Sequence, residues 1–120
     1  MEKFVLASQI IIALGLLNVW LVRTGKHTPW RGGNAKNMRE EFATYGLPQW
    51  FMGVIGFLKV TLAIFLIAGL FIPWLVKPAA IGVAGLMLGA VGMHFKVRDP
   101  LKKSLPAFSV LVLCLIVALF

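Results

Sequence analysis

The sequence predicts an all-α fold, an integral membrane four-helix bundle with four transmembrane helices and a short interfacial amphipathic helix, and three observations carry that prediction. Of its 120 residues, 60% are hydrophobic and only 13% charged, where soluble domains run at about 45–50% and about 25%. The apolar residues gather in four runs, about 4–22, 50–72, 79–95 and 105–120. Each comes close to the roughly 20 residues that a helix rising ~1.5 Å per residue needs to cross a bilayer. Nine of the twelve Lys and Arg residues sit in two of the connections between these runs, the charge pattern of positive-inside topology. The length suits a single transmembrane domain, 1–120, and the shortage of charge excludes an ordinary soluble enzyme.

The first run, 4–22, follows Lys3 much as the core of a signal peptide follows its basic start. It lacks a small-residue cleavage site and further spans follow it, so it reads as an uncleaved first helix. The second, 50–72, is bracketed by Trp50 and Trp74, whose rings suit the two interfaces, and closes at Pro73. The third, 79–95, starts after Pro78 and ends at Lys96 and Arg98. The fourth, 105–120, is short enough to tilt little or to be shared with a partner. Counting Lys and Arg by side gives five in the first loop and four in the third, against Lys3 and Lys77, with Lys59 inside a span. Loops one and three are therefore expected in the cytoplasm and both termini outside, in a plasma or bacterial inner membrane.

The first loop holds a local pattern of its own. Asn37 and Glu40 have capping-box spacing, Met38, Phe42 and Tyr45 fall on one helical face, and Gly46 and Pro48 follow as terminators. A short amphipathic helix over 38–45 is expected to lie at the cytoplasmic interface, either sealing the bundle or covering a cavity. In span three Gly82, Gly85, Gly89 and Gly92 share one face, with Gly53 and Gly56 a smaller counterpart on span two. Small residues at this spacing let helices approach closely in lipid, so all six are read as packing positions within the bundle or a homo-oligomer. The alternative is that they make room for a flat apolar ligand.

Lys59 is the residue that asks for a reason. It lies nine residues past Trp50, about 13 Å along the helix, where a charge costs between about 2.5 and more than 10 kcal/mol and usually faces the bundle for a function. Snorkelling of the long stem toward the interface is the bland alternative. Topology brings Asn18 and His94 to the same half, under the segment carrying Glu41 and Tyr45. Lys59, Asn18, His94, Tyr45 and Glu41 are therefore the candidate ligand-binding residues of one cytoplasmic-half cavity. Taken singly, Asn18 reads as an interhelical hydrogen bond and His94 as an interfacial residue.

Several chemistries are set aside. The net charge of +8 flanks membrane spans, so it does not indicate nucleic acid. The single cysteine, Cys114, offers no disulfide within the chain. His27 and His94 lie on different segments without a carboxylate cluster, so no metal site is assigned. No span contains Asp or Glu, which argues against a carboxylate-driven pump and against a small multidrug transporter. A membrane enzyme of the MAPEG type shares the size, but its Arg-rich and Asn/Glu pattern on span two is missing.

From Tyr45 onward the residues resemble a known family. Tyr45-Gly46-Leu47-Pro48 leading to Gly53-Val54-Ile55-Gly56-Phe57-Leu58-Lys59, then Leu88-Gly89-Ala90-Val91-Gly92-Met93-His94-Phe95-Lys96-Val97-Arg98-Asp99-Pro100, and Ser104-Leu105-Pro106-Ala107 opening the last span, look like the DoxX-like family of four-helix membrane proteins. The resemblance covers roughly the last two thirds of the chain. Relatives often have Glu where Lys59 stands, and a Lys-bearing variant is also familiar. The resemblance implies a small subunit of a membrane oxidoreductase assembly that feeds quinone, or an assembly factor like an animal branch that assists ion-channel assembly. A distant similarity to sterol-isomerase-type bundles implies a lipid-binding cavity. Fold similarity does not carry activity with it. The leading expectation is thus a small membrane subunit or accessory protein holding a quinone or lipid, with Lys59 polarising the head group. The alternative is a non-catalytic assembly factor or chaperone whose glycine faces dock a partner membrane protein.

Overall fold

The computed structural model describes residues 2–22, 25 and 31–120. Arg23 and Lys26, counted above among the loop cations, and His27 lie outside the described residues. Five α-helices are described: α1 (Glu2–Leu17), extended by a π-helical turn Asn18–Val22; α2 (Met38–Thr44); α3 (Gln49–Ala68); α4 (Val76–Lys96), preceded by a 3₁₀ turn Pro73–Leu75; and α5 (Leu101–Leu119). Four stretches are long and apolar enough to cross a membrane: Lys3–Val22, Gln49–Ala68, Pro73–Lys96 and Leu101–Leu119.

The helices form a ring in which α1 packs on α3 and α5, and α4 packs on the same two, with α4 and α5 the most extensive pair. Ile12, Ala13, Ala63, Leu66, Ala79, Ala80, Val83, Leu111, Cys114 and Val117 pack together in a buried core, most of it in the half remote from α2. A second cluster, Trp20, Met38 and Phe42, with Phe51 and Ile55 beside it, seats α2 against α3.

The spans differ from the sequence reading at three edges. Span two stops at Ala68 rather than Ile72, because the chain turns through Gly69–Phe71 while remaining apolar, and hydropathy does not register a turn. Span three begins earlier, at Pro73, since Pro78 sits inside the first turns of α4, where a missing N–H costs little. The last span starts at Leu101, with Pro100 at its N-cap and Pro106 inside the helix rather than at its beginning.

Two helix ends shape the region under α2. The Asn37 side chain accepts the Glu40 backbone N–H at 2.9 Å, and its amide donates to the Glu40 carboxylate at 3.1 Å, so the reciprocal bond of the capping box runs side chain to side chain. Gly46, with φ +79°, ends α2 while Leu47 N–H reaches Phe42 C=O at 2.9 Å and Gly46 N–H reaches Ala43 C=O at 3.0 Å. The same paired closure ends α4, where Asp99 N–H bonds His94 C=O at 3.0 Å and Arg98 N–H bonds Phe95 C=O at 3.1 Å. There the left-handed position is held by Arg98, φ +58°, a residue type that rarely adopts it.

Candidate functional site

A cavity of about 580 Å³ occupies the half of the bundle under α2. Its lining includes Asn18 of the π-helical turn after α1, Glu41 and Tyr45 from the α2 segment, Lys59 of α3 and His94 of α4, so the five candidate residues border one space. Gly85, Leu86, Gly89 and Ala90 of α4 with Pro106, Ala107 and Val110 of α5 form much of the opposite wall. The volume lies within the ~300–1,000 Å³ typical of small-molecule sites, and a mostly apolar lining with a few polar groups is their usual chemistry.

Lys59 sits in mid-helix, and its ammonium lies over the Trp20 ring, 5.4 Å from the centroid. That geometry suits a cation–π contact. It also gives a direction to the stem, which runs back toward the end of α1, as side chains on a helix lean toward its N-terminus. Trp20 reaches this place because Gly56 leaves room for it: a Cβ at Gly56 would stand 2.7 Å from the indole. No hydrogen-bond acceptor for the Lys59 ammonium is present among the described residues. The Asn18 amide, on the π-helical turn, likewise makes no side-chain hydrogen bond among them. Such turns are rare and frequent at functional sites.

Glu41 and Tyr45 border the same space with their polar atoms already engaged. Glu41 pairs with Arg31 at 3.2 Å, and its other oxygen accepts Gly32 N–H at 2.8 Å and the Tyr45 hydroxyl at 2.7 Å. Burial, reinforced by the Glu41 carboxylate, pushes the Tyr45 phenol well above its usual range. These two residues hold the cover together while bordering the cavity.

His94 is 5% exposed, and its Nδ1 lies 2.8 Å from Asp99 Oδ2. Asp99 Oδ1 accepts Gly33 N–H at 2.9 Å and stands 3.9 Å from Lys103. Lys103 in turn donates to Gly33 C=O, and Lys96 donates to Tyr45 C=O at 2.9 Å. The cover is thereby tied to the α4–α5 turn at three places. Between Lys59 and His94 run the rings of Trp20, Phe42 and Tyr45, successive centroids 6.1 and 6.3 Å apart, with Tyr45 6.0 Å from the His94 ring. An aromatic arc thus separates two polar poles.

The glycines divide. Within the chain, a Cβ at Gly82 would stand 3.1 Å from the Leu62 side chain and one at Gly56 would meet the Trp20 ring, whereas a Cβ at Gly53, Gly85, Gly89 or Gly92 would meet nothing within 4 Å. Periodicity places these four on helix faces, and within the chain the space a Cβ would take is open. Gly85 and Gly89 instead border the cavity.

Trp20, Arg31, Asp99 and Lys103 were not singled out by the sequence reading. Trp20 was hidden in an apolar run, though its spacing from Arg23 was a usable signal. The contacts of Arg31 depend on how a loop folds back, which local pattern does not give.

No curated protein and no solved structure matches the chain. A family model, described as the DoxX-like family, matches residues 12–119. The match takes in most of the first span, which the resemblance from Tyr45 onward left out, and with nearly the whole chain covered the protein belongs to the DoxX-like family.

Proposed function

We propose that the chain is a small membrane accessory protein that holds one apolar molecule with a polar head group, a quinone or a lipid, in the cavity under α2. The observation that carries this reading is Lys59, an ammonium without a hydrogen-bond acceptor among the described residues, bordering an apolar space inside a membrane span. Keeping such a charge there costs at least about 2.5 kcal/mol, and a head-group oxygen supplies the acceptor that the protein does not. The aromatic arc offers a flat face for a ring. Gly85 and Gly89 widen the opposite wall by the volume of their missing side chains. The charge balance supports cytoplasmic loops one and three, which puts the cavity in the cytoplasmic half and the termini outside. Membership of a membrane oxidoreductase assembly, or of a homo-oligomer, belongs to this reading as its setting.

Thermal unfolding of the purified protein tests it. Saturation with a decyl-tailed benzoquinone or a phospholipid that binds only the folded state raises stability by about 2.7 kcal/mol at one hundred times Kd. The rise in Tm should vanish in Lys59→Met and in Gly89→Leu. An equal rise in both variants contradicts the assignment. Retention of a second polypeptide with no stabilisation by any small molecule moves the reading to an assembly factor.

A further inference from the structure

We infer that His94 is a hydrogen-bond acceptor in this cavity, so that the molecule bound there presents an O–H: a hydroquinone or a long-chain alcohol rather than a head group with acceptors alone. The inference rests on the ligand-holding reading and adds the chemical class of the ligand.

Asp99 sets which ring nitrogen of His94 carries the proton. Its Oδ1 takes Gly33 N–H and lies close to the Lys103 ammonium, surroundings that suit a carboxylate, which can only accept hydrogen bonds. The 2.8 Å contact from Oδ2 to His94 Nδ1 therefore needs the proton on Nδ1. In the neutral ring this leaves Nε2 with its lone pair, as a carboxylate behind an imidazole commonly fixes its tautomer. Nε2 makes no hydrogen bond among the described residues. It is not sealed in either, because no buried side-chain nitrogen or oxygen among them lacks a partner. His94 borders the cavity, and Nε2 is the ring nitrogen turned away from Asp99.

The other polar side chains near this wall, Arg31 and Lys103 of the lining and Lys96 beside it, are donors, and each is already engaged with the cover. Tyr45 gives its hydroxyl to Glu41, Lys96 its ammonium to Tyr45 C=O, and Lys103 its ammonium to Gly33 C=O. Lys59, a donor beyond the aromatic arc, suits an acceptor oxygen, whereas Nε2 of His94 suits a donor. Asp99 acts on the ligand only through the imidazole and is a positioning residue.

Titration calorimetry on the full-length protein in detergent, at pH 8, separates the possibilities. The probes are a decyl-tailed benzoquinone, its hydroquinone, the dimethyl ether of that hydroquinone, oleyl alcohol and oleyl methyl ether. A buried acceptor left unpaired costs about 1–3 kcal/mol, so each hydroxyl compound should bind about tenfold more tightly than its ether. His94→Phe should bring the hydroxyl-to-ether ratio to about one, and Asp99→Asn should reduce it severalfold by freeing the tautomer. The wild-type ratios need no variant, so misfolding of either substitution leaves the test intact. Equal binding of hydroxyl and ether forms overturns the inference and leaves the ligand-holding reading standing. Failure of all five to bind overturns both.

Discussion

In the half of the bundle remote from α2, alanines bring the helices together. Ala13, Ala63, Ala79 and Ala80 are buried among Ile12, Leu66, Val83 and Val117 in a close-packed core, and a second cavity of about 760 Å³ opens beyond it, beside Val5, Gln9, Gly69 and Phe120. In the half under α2 the small residues are Gly85 and Gly89, and what lies beyond them is open. The same four helices therefore make a close-packed half and a hollow one. The difference lies in what faces the small residues: in the first half apolar side chains interlock across the axis, and in the second the axis is bordered by Lys59, His94 and the underside of α2. A methyl group is enough to join helices where a partner side chain meets it. A glycine without a partner keeps a space open.

Four measurements would break or sharpen this contrast, taken from the largest expected effect to the smallest. Glu41→Gln removes the countercharge of buried Arg31 and weakens the acceptor of Gly32 and Tyr45. Breaking a buried pair from one side costs about 3 kcal/mol. That loss should fall on the cover, seen as faster hydrogen exchange over residues 38–47 with α4 and α5 unchanged; uniform acceleration would mean that the hollow half is not a separate unit. Ala80→Leu, in the filled half, should lower stability by about 1–3 kcal/mol through overpacking, whereas Gly89→Leu should change it by less than about 0.5 kcal/mol. Comparable losses in denaturant or thermal unfolding would mean that Gly89 is packed after all.

Arg98→Gly should stabilise the α4–α5 turn by about 1 kcal/mol, since Arg98 holds a left-handed conformation that glycine adopts without a Cβ penalty. Gly46 already holds the equivalent position at the end of α2. The smallest effect is read from the one tyrosine in the sequence, whose ultraviolet titration reports Tyr45 alone. Its phenol pKa is raised in the folded protein, first by burial and then by Glu41. The unfolded chain therefore releases this proton first, near the ordinary pKa of about 10. Stability is intact below that pH and falls as pH rises beyond it. Ionisation of Tyr45 at its ordinary pKa in the folded protein would show that the cover stands open.

Both halves were legible in part. The spans follow from hydropathy, and the end of α2 at Gly46 follows from a residue type that tolerates positive φ. The end of α3 was misplaced by four residues because Gly69–Ile72 stays apolar through a turn, and a membrane span and an apolar turn have the same hydropathy. The grouping of Lys59, Asn18 and His94 came from depth along antiparallel helices, which is arithmetic on the sequence. Helix rotation was beyond that arithmetic, so neither the seat of Lys59 on Trp20 nor the open space beside Gly85 and Gly89 was visible. Asp99 was noted only within the family motif, and its pairing with His94 was not foreseen, for another reason. Its approach to His94 depends on a left-handed turn at Arg98, where the residue type gives no hint of one.

The most direct test of a hollow half that holds a ligand is native mass spectrometry of the gently extracted protein, wild type beside Lys59→Met. The wild type should carry a co-purifying small molecule of quinone or lipid mass, and Lys59→Met should carry none. Wild-type protein of bare polypeptide mass, or an identical adduct on both proteins, would contradict it.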